Sequence, residues 1–333
     1  MAPLATNDGK SLAENLQDQF RSVPVTADNG DAKLAMIHAM GFPGEKLLQQ
    51  AGLLLPDDDA PKHEDKNTKK EEPFALFDNA CGTGLIAGLL QKRVLPAVLR
   101  ESRFVCADLN ANLVDIVKWR AERDGWQGTV ETAVADAQVR HRPTSLPANS
   151  FSHVVINFAM HIIPKPDVAL REAYRLLRPN GTLAFTVWAA DNTGWIPDMR
   201  SAFAALPFAA AAGTPLMPGR VPMAVHGLDQ WVDPAGIRAE LVSSSSVGFE
   251  DMRIETLEHT SRIDSAEYFV EAFDMMRKWM MQSYWPEEAR QAAAEDGGAV
   301  MYKVMVEHLQ ERYGGNGWDI RWKSVLVTCR KPS

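Results

Sequence analysis

Between residues 74 and 190, short apolar runs alternate with longer amphipathic stretches. Five runs have the length and the β-branched or aromatic content of buried strands: FALFDNA (74–80), RFVCADL (103–109), TVETAVAD (129–136), FSHVVINFAM (151–160) and TLAFTVWA (182–189). The segments between them have helical periodicity, and Gly125 ends the helix predicted after the second run. This alternation predicts an α/β fold with a mostly parallel sheet that carries helices on both faces.

The pattern changes on either side of this stretch. A sixth strand is predicted at 249–263, a helix at 266–285 and a final strand at 318–332. The segment 56–73 is rich in charge and poor in apolar residues, which predicts a solvated loop. We therefore divide the chain into an N-terminal helical cap segment (1–55), a charged loop (56–73), a cofactor-binding core (74–190), cap insertions with the sixth strand (191–317) and the final strand (318–333).

Composition narrows the classes of function. Of 333 residues, 46% are hydrophobic, and the net charge is −8 without a basic run, which argues against a nucleic-acid partner. The three cysteines are far apart and no Cys/His cluster has metal-ligand spacing, so no metal is expected. With neither a secretory signal nor an apolar run long enough to span a membrane, we expect a soluble cytoplasmic protein. A monomer is the default expectation, and a dimer stays open.

The turn after the first strand is rich in glycine. It reads Asp78-Asn79-Ala80-Cys81-Gly82-Thr83-Gly84, and the following helix offers free N–H groups to an anionic ligand. A dinucleotide fingerprint would need glycine at positions 80, 82 and 85, whereas the chain has Ala80 and Leu85 there. The turn therefore disfavours the alternative of a dinucleotide-dependent oxidoreductase.

Acidic residues end the next two strands. Asp108 is placed to accept both hydroxyls of a ribose, or alternatively to cap the helix that follows. Asp136 is placed to accept an adenine amino group, or to serve as a turn residue. Leu109 and Ala137 adjoin these acids. Asn157 in the fourth strand is expected to contact a cofactor or an acceptor, or alternatively to form a hydrogen bond with a neighbouring loop. Together, these positions at successive strand ends predict one nucleoside-binding site.

Five stretches resemble class I methyltransferases that depend on S-adenosylmethionine (SAM): LFDNACGTG, FVCADLN, VADA, FSHVVINFAMHII and LREAYRLLRPNGTLAFTVWA. The resemblance implies a Rossmann-like sheet of seven strands with a helical substrate cap. It also implies SAM as the cofactor, held by Asp78, Ala80, Gly82, Gly84, Asp108, Leu109, Asp136, Ala137 and Asn157.

A closer resemblance is to fungal natural-product methyltransferases of the gliotoxin bis-thiomethyltransferase type. It is carried by DNACGTG, by DGW at 124–126, by GWIPDMRSA at 194–202 and by EHLQERYGGNG at 307–317. It implies an enzyme of secondary metabolism that methylates a small, largely apolar metabolite. Our leading hypothesis is S-methylation of a thiol, such as a dithiol diketopiperazine. O- or N-methylation, and SAM binding without methyl transfer by a pericyclase or regulator, remain alternatives.

The acceptor side has weaker signals. His161, just after the fourth strand, is the best-placed candidate for a general base, although a structural hydrogen bond would also explain it. The sequence has no unmistakable base, which favours an acceptor that ionises easily, such as a thiol. Aromatic and thioether side chains after residue 187 are expected to line the acceptor pocket or to fill a core: Trp188, Trp195, Met199 and Trp279.

Overall fold

The fold is built on one sheet of seven strands. The computed structural model describes residues 10–22, 37–55, 72–138, 146–209, 216–243 and 248–333. The strands are Ala75–Asn79 (β1), Arg103–Asp108 (β2), Glu131–Val134 (β3), Phe151–Asn157 (β4), Leu177–Trp188 (β5), Glu250–Ile263 (β6) and Trp318–Arg330 (β7). Their order across the sheet is β3-β2-β1-β4-β5-β7-β6. Because β7 alone runs in the direction opposite to the other six strands, the predicted mostly parallel, Rossmann-like sheet is confirmed.

Helices follow the strands and also form a separate group near the end of the chain. The helices are Leu12–Ser22 (α1), Ile37–Gln50 (α2), Leu85–Arg93 (α3), Pro96–Glu101 (α4), Ala111–Arg123 (α5), Pro166–Leu176 (α6), Ile196–Ala204 (α7), Pro234–Ser243 (α8), Ala266–Ala272 (α9), Asp274–Tyr284 (α10), Glu287–Ala294 (α11) and Ala299–Arg312 (α12). Two single 3₁₀ turns, Asp229–Val232 and Glu295–Gly298, complete the regular structure. Among the residues that the structure describes, none of the helices is both long and apolar enough to cross a bilayer.

Two boundaries differ from the sequence-based expectation. The fifth strand, expected to begin at residue 182, already begins at Leu177, directly after α6 ends at Leu176. Pro179 explains this, because proline excludes the helical conformation from the residue before it. The single helix predicted at 266–285 is interrupted at Phe273, which lies between α9 and α10. Most of the charged loop, residues 56–71, lies outside the described part of the chain.

The strands bury both of their faces. On β1 and β4, Phe77 and Val154 belong to one apolar cluster, whereas their neighbours Leu76 and Val155 belong to another. Successive side chains of a strand point to opposite faces, so the two clusters lie on opposite sides of the sheet. Helices α6 and α8 cover the first side, and α2 to α5 cover the second. This double cover explains why the strand sequences are almost continuously apolar.

A third apolar cluster forms the cap. It combines α1, α7 and α9 to α12 with the first residues of β7. Buried indoles join these pieces by donating hydrogen bonds: Trp279 Nε1 to Leu12 O at 3.1 Å, Trp285 Nε1 to Leu216 O at 2.8 Å, and Trp318 Nε1 to Asp198 Oδ2 at 2.9 Å. The N-terminal helix is therefore fixed to helices that follow it by more than 250 positions in the sequence.

Gly194 lies where the cap meets the sheet, and it tests this packing. Its φ is +48°, and a Cβ atom there would lie 2.4 Å from Cζ3 of Trp322, which stacks on Trp188 with ring centroids 5.0 Å apart. We expect Gly194→Ala to lower the free energy of unfolding by about 3 kcal/mol, because it adds a clash to a left-handed backbone. Denaturant titration measures this change.

The matched control is Gly128→Ala. Gly128 has a φ of +80°, and a Cβ there would meet no described atom within 4 Å. The control should cost only the backbone strain, about 1–2 kcal/mol. Equal losses in the two variants would mean that Trp322 is not packed against Gly194 as the structure shows.

Candidate functional site

One cavity lies at the carboxyl ends of β1, β2, β3 and β4. Its volume is ≈ 200 Å³, and residues that follow all four strands line it. In open α/β sheets, ligands bind in the crevice outside the carboxyl ends of the strands, where the strand order reverses its direction. The cavity is therefore the candidate functional site.

The glycine-rich turn after β1 lines the cavity. Ala80, Gly82 and Gly84 all have left-handed backbones, with φ of +60°, +56° and +78°. The backbone N–H of Cys81 donates to Ala107 O at 2.9 Å, which attaches the turn to the end of β2. A Cβ atom on Gly82 would meet no described atom within 4 Å, so this backbone is open to a ligand. No described side chain caps α3, which leaves the N–H groups of its first turn available to an anionic group.

Asp108 joins this turn to the second strand. Its Oδ2 accepts from Gly82 N and its Oδ1 from Asn110 N, both at 2.9 Å. Burial raises the pKa of Asp108, and these backbone hydrogen bonds oppose the rise because they favour the carboxylate. The alternative interpretation of Asp108 as a helix cap is wrong, because the N-cap of α5 is Asn110, whose side chain accepts from Asn112 N.

Seven of the predicted cofactor residues line the cavity. They are Ala80, Gly82, Asp108, Leu109, Asp136, Ala137 and Asn157. Asp136 Oδ1 accepts from the backbone N–H of Gln138 at 2.8 Å, and Asn157 Oδ1 accepts from Thr186 Oγ1 at 2.6 Å. The structure thus brings together residues that are spread over some 80 positions of sequence.

Asp78 and Gly84 are the two predicted cofactor residues that do not line the cavity. Gly84 faces away from it, toward Val117 and Arg120. Asp78 is fully buried in β1, and neither of its carboxylate oxygens has a hydrogen-bond partner among the described residues. Burial raises the pKa of Asp78 well above its usual value, and the nearby charge of Asp108 raises it further. Both residues therefore lie behind the surface that a ligand would contact.

Much of the apolar lining of the cavity comes from parts of the chain that sequence reasoning missed. Ala13, Leu16 and Gln17 of α1 and Met40 of α2 line it, together with residues 162–164. The only sequence signal at Ala13 and Leu16 was an apolar helical face. Such a face shows that a helix packs against something, but it does not identify a ligand pocket.

The residues predicted to contact the acceptor lie elsewhere. Trp195, Met199 and Trp279 are buried in the cap cluster, at 7%, 0% and 3% exposure. Trp188 is half-buried and packs on Phe158, whose ring centroid is 4.2 Å away. None of these four predicted residues is among the described side chains that line the cavity. Phe158, which has a left-handed backbone with φ of +52°, does line it.

His161 also lies outside the cavity lining. It is buried, and its backbone carbonyl accepts from Val225 N at 2.9 Å. Burial, followed by the charge of His226, lowers the pKa of His161 to about 3, so its imidazole is neutral at physiological pH. The chain turns at Phe158 and directs Ala159, Ile162 and Ile163 to the cavity instead. The structure therefore does not bring the candidate base to the ligand site.

Three titratable side chains line the described part of the cavity: Cys81, Asp108 and Asp136. A hydrogen bond with Cys106, followed by burial, raises the pKa of Cys81 well above its usual value, so this thiol stays protonated. Asp108 is occupied by backbone N–H groups. Asp136 Oδ1 accepts from the backbone and side-chain N–H groups of Gln138. The described lining therefore offers carboxylates that bind hydrogen-bond donors of a ligand.

Comparison with known proteins identifies the family. The sequence profile of the methyltransferase domain matches residues 77–185. Methyltransferase tpcH of Aspergillus fumigatus is 30% identical over 263 residues, which cover 79% of this chain and 86% of that protein. The chain belongs to the SAM-dependent methyltransferases.

Two further fungal relatives align over a similar length of this methyltransferase. Methyltransferase ktnA of Aspergillus niger is 26% identical, over 78% of this chain and 85% of that protein. The acetylaranotin bis-thiomethyltransferase of Aspergillus terreus is 23% identical, over 79% of this chain and 84% of that protein. These alignments are much longer than the matched methyltransferase domain, so they extend into the cap.

The residues at the cavity fit the methyl donor, SAM. Its nucleoside needs hydrogen-bond acceptors, and Asp108 and Asp136 supply carboxylates there. Its anionic carboxylate needs N–H donors, and the uncapped start of α3 provides them, while the absence of a side chain at Gly82 leaves room for a ligand to approach the turn. The methyltransferase therefore has a site of the required chemistry for its cofactor.

Ala80 allows a test of the turn, because its left-handed backbone is strained for a residue with a Cβ atom. We expect Ala80→Gly to raise the free energy of unfolding by about 0.5–1 kcal/mol, since glycine adopts this conformation without strain. Chemical denaturation without cofactor measures it.

The control is Ala111→Gly, at the exposed start of α5. The same change in a right-handed helix should lower the free energy of unfolding. A loss of stability in Ala80→Gly would show that contacts of the Ala80 methyl group outweigh its backbone strain.

Proposed function

We propose that this enzyme transfers the methyl group of SAM to a nucleophile on a small, largely apolar natural product, with a thiol as the leading acceptor. The observation that carries the proposal is the lining of the cavity. Residues at the strand ends supply the polar groups that a nucleoside needs, the residues from α1, α2 and 162–164 are mostly apolar, and no histidine or lysine is among the described lining residues.

In this proposal the strand ends hold the cofactor in order. The turn at Gly82 and the first turn of α3 take the methionine carboxylate, Asp108 takes the ribose hydroxyls, and Asp136 with Ala137 takes the adenine. Each assignment rests on a described feature: an open backbone, a buried carboxylate and an acid at the cavity. When bound, SAM supplies an activated methyl group on a sulfonium, so the protein has to orient the acceptor and exclude water.

The apolar lining of the cavity determines the kind of acceptor. Leu16, Met40, Ile162 and Ile163 offer hydrophobic surface, and Gln17 is a polar side chain among them. An apolar scaffold with one nucleophilic atom fits such a lining, because hydrophobic contacts bind the body of the ligand and leave the reactive atom free.

The described lining of the cavity favours a thiol, because it includes no histidine or lysine that could serve as a general base. The acceptor has to lose its proton to solvent, and a thiol with a pKa of about 8.5 is partly ionised near neutrality, whereas a simple phenol near 10 is far less so. The name of the Aspergillus terreus relative, a bis-thiomethyltransferase, supports the same acceptor atom. The names of the other two relatives specify no acceptor.

The acceptor prediction is tested with matched apolar scaffolds that carry a thiol, a phenol, a carboxyl or an amine. Mass spectrometry should show methylation of the thiol, including a reduced dithiol diketopiperazine, with release of S-adenosylhomocysteine. Across thiols of different acidity, the pH at which the rate rises should follow the pKa of the acceptor, because in this proposal the acceptor loses its proton to solvent.

Other outcomes would change the proposal. Preferred methylation of the phenol, with one pH dependence for all acceptors, would mean that the enzyme supplies a base and acts on oxygen. Binding of SAM without a methylated product from any class of acceptor would favour a use of the cofactor site other than methyl transfer.

Asp108→Ala tests the cofactor arrangement. It removes the proposed partner of the ribose and the acceptor of the Gly82 N–H. We expect the affinity for S-adenosylhomocysteine, measured by calorimetry, to weaken by about 1–3 kcal/mol, the scale of hydrogen bonds to a charged group. The control Asp115→Ala, on the exposed face of α5, should bind like the unmodified enzyme. Unchanged affinity in Asp108→Ala would refute the ribose assignment.

A further inference from the structure

Behind the glycine-rich turn, on the side away from the cavity, lies a buried guanidinium. Arg120 of α5 is 5% exposed. Its Nη1 donates to the backbone carbonyls of Thr83 at 2.6 Å and Gly84 at 2.9 Å. The guanidinium lies over the ring of Trp126, with its carbon 4.8 Å from the ring centroid. One buried cation thus contacts both the end of the turn and an aromatic ring that supports it.

These contacts orient the peptides at the start of α3. A peptide unit is planar and trans, so fixing a carbonyl also fixes the N–H of the next residue in the opposite direction. The carbonyls of Thr83 and Gly84 belong to the same peptide units as the N–H groups of Gly84 and Leu85. Gly84 N donates to Cys81 O at 3.0 Å and closes the turn, whereas Leu85 lines the cavity. Arg120 therefore sets the direction of the helix start that faces the ligand.

The charge of Arg120 acts in the same sense as the helix. The first turn of α3 carries a partial positive charge, and a guanidinium behind it adds to the positive potential there. An anionic group at the cavity side of this turn would be stabilised by both. Arg120 itself does not line the cavity, so it acts through the turn rather than by touching the ligand.

Gly88 makes room for this arrangement. It lies inside α3, where glycine is a poor helix former and no left-handed backbone requires it. A Cβ atom there would lie 2.6 Å from Arg120 Nη2 and 3.4 Å from Trp126 Cη2. The glycine is therefore explained by the guanidinium and the indole that pass beside it.

We propose that Arg120, seated on Trp126 in the space left by Gly88, is a positioning residue that holds the glycine-rich turn in the conformation that binds SAM. The inference rests on the proposed placement of the methionine end of SAM at this turn. It assigns a role to the DGW segment at 124–126, which supplies Trp126, and to Gly88.

The test measures S-adenosylhomocysteine binding by calorimetry and unfolding without cofactor, in variants of the full chain. Arg120→Met should weaken binding about 10- to 100-fold and raise KM for SAM, with KM for the acceptor unchanged. Arg120→Lys should recover part of the affinity, because lysine restores the charge but not the two-carbonyl contact. The matched control is Arg123→Met on the same helix, since Arg123 lies over the Trp119 ring on the exposed surface. It should bind normally.

Gly88→Ala is an independent way to move the Arg120 guanidinium out of its place. Alone, it should weaken binding to a similar extent, because its methyl group pushes the guanidinium away. In the Arg120→Met background it should add less than twofold, since there is no guanidinium left to displace. This non-additivity of the binding losses distinguishes a positioning role of Arg120 from a general loss of packing. It can be measured even where the single variants are less stable.

Three results would overturn the inference: unmodified affinity in Arg120→Met, an equal loss in Arg123→Met, or a full additional loss from Gly88→Ala in the Arg120→Met background. The proposed function fails in a different way. It fails when the unmodified enzyme binds SAM but methylates no acceptor, or when Asp108→Ala leaves affinity unchanged while Arg120→Met weakens it.

Discussion

The hydrogen bond from the Gly82 N–H to the Asp108 carboxylate is the contact on which the cofactor site depends. It joins the turn after β1 to the end of β2, where Asp108 is buried and Gly82 is half-buried. The geometry is possible because Gly82 has a left-handed backbone with open space where a side chain would be. Arg120 reaches the carbonyls of the same turn from behind, so the turn is held from both sides. A ligand at this edge therefore meets a surface that is already ordered.

The sheet and the polar half of the site were predictable from sequence because their signals are local. Each strand was a short apolar run. Each candidate site residue could be identified because it directly follows such a run. Parallel strands bring their carboxyl ends to one edge, so Asp108 and Asp136 had to converge once the strand order was right. The error within this part was also local, because α6 ends at Leu176, shortly before Pro179, and the strand begins earlier than the predicted residue 182.

The acceptor half was not predictable, because it is made by tertiary packing. The late tryptophans were expected either to line the pocket or to fill a core, and Trp195 and Trp279 lie in the cap core, where Trp279 donates to Leu12 O. Composition shows that large apolar side chains are present, but it does not show which of them face a ligand. The side chains that do, Leu16 and Met40, come from N-terminal helices whose sequence has no motif.

The apolar lining and the strand-end residues come from different parts of the chain. Part of the apolar lining of the cavity is supplied by α1, and α1 is fixed by Trp279 and by the Asn15 and Gln282 side chains, which are 3.3 Å apart. Acceptor binding should therefore stabilise α1 against the cap, since a ligand stabilises the structure that it contacts. Ala13 and Leu16 belong to the closely packed cap cluster and also line the cavity, as do Gln17 and Met40. Changes at Ala13 or Leu16 therefore alter the packing of the cap as well as the cavity. In the proposed function, these N-terminal side chains contribute to the choice of acceptor.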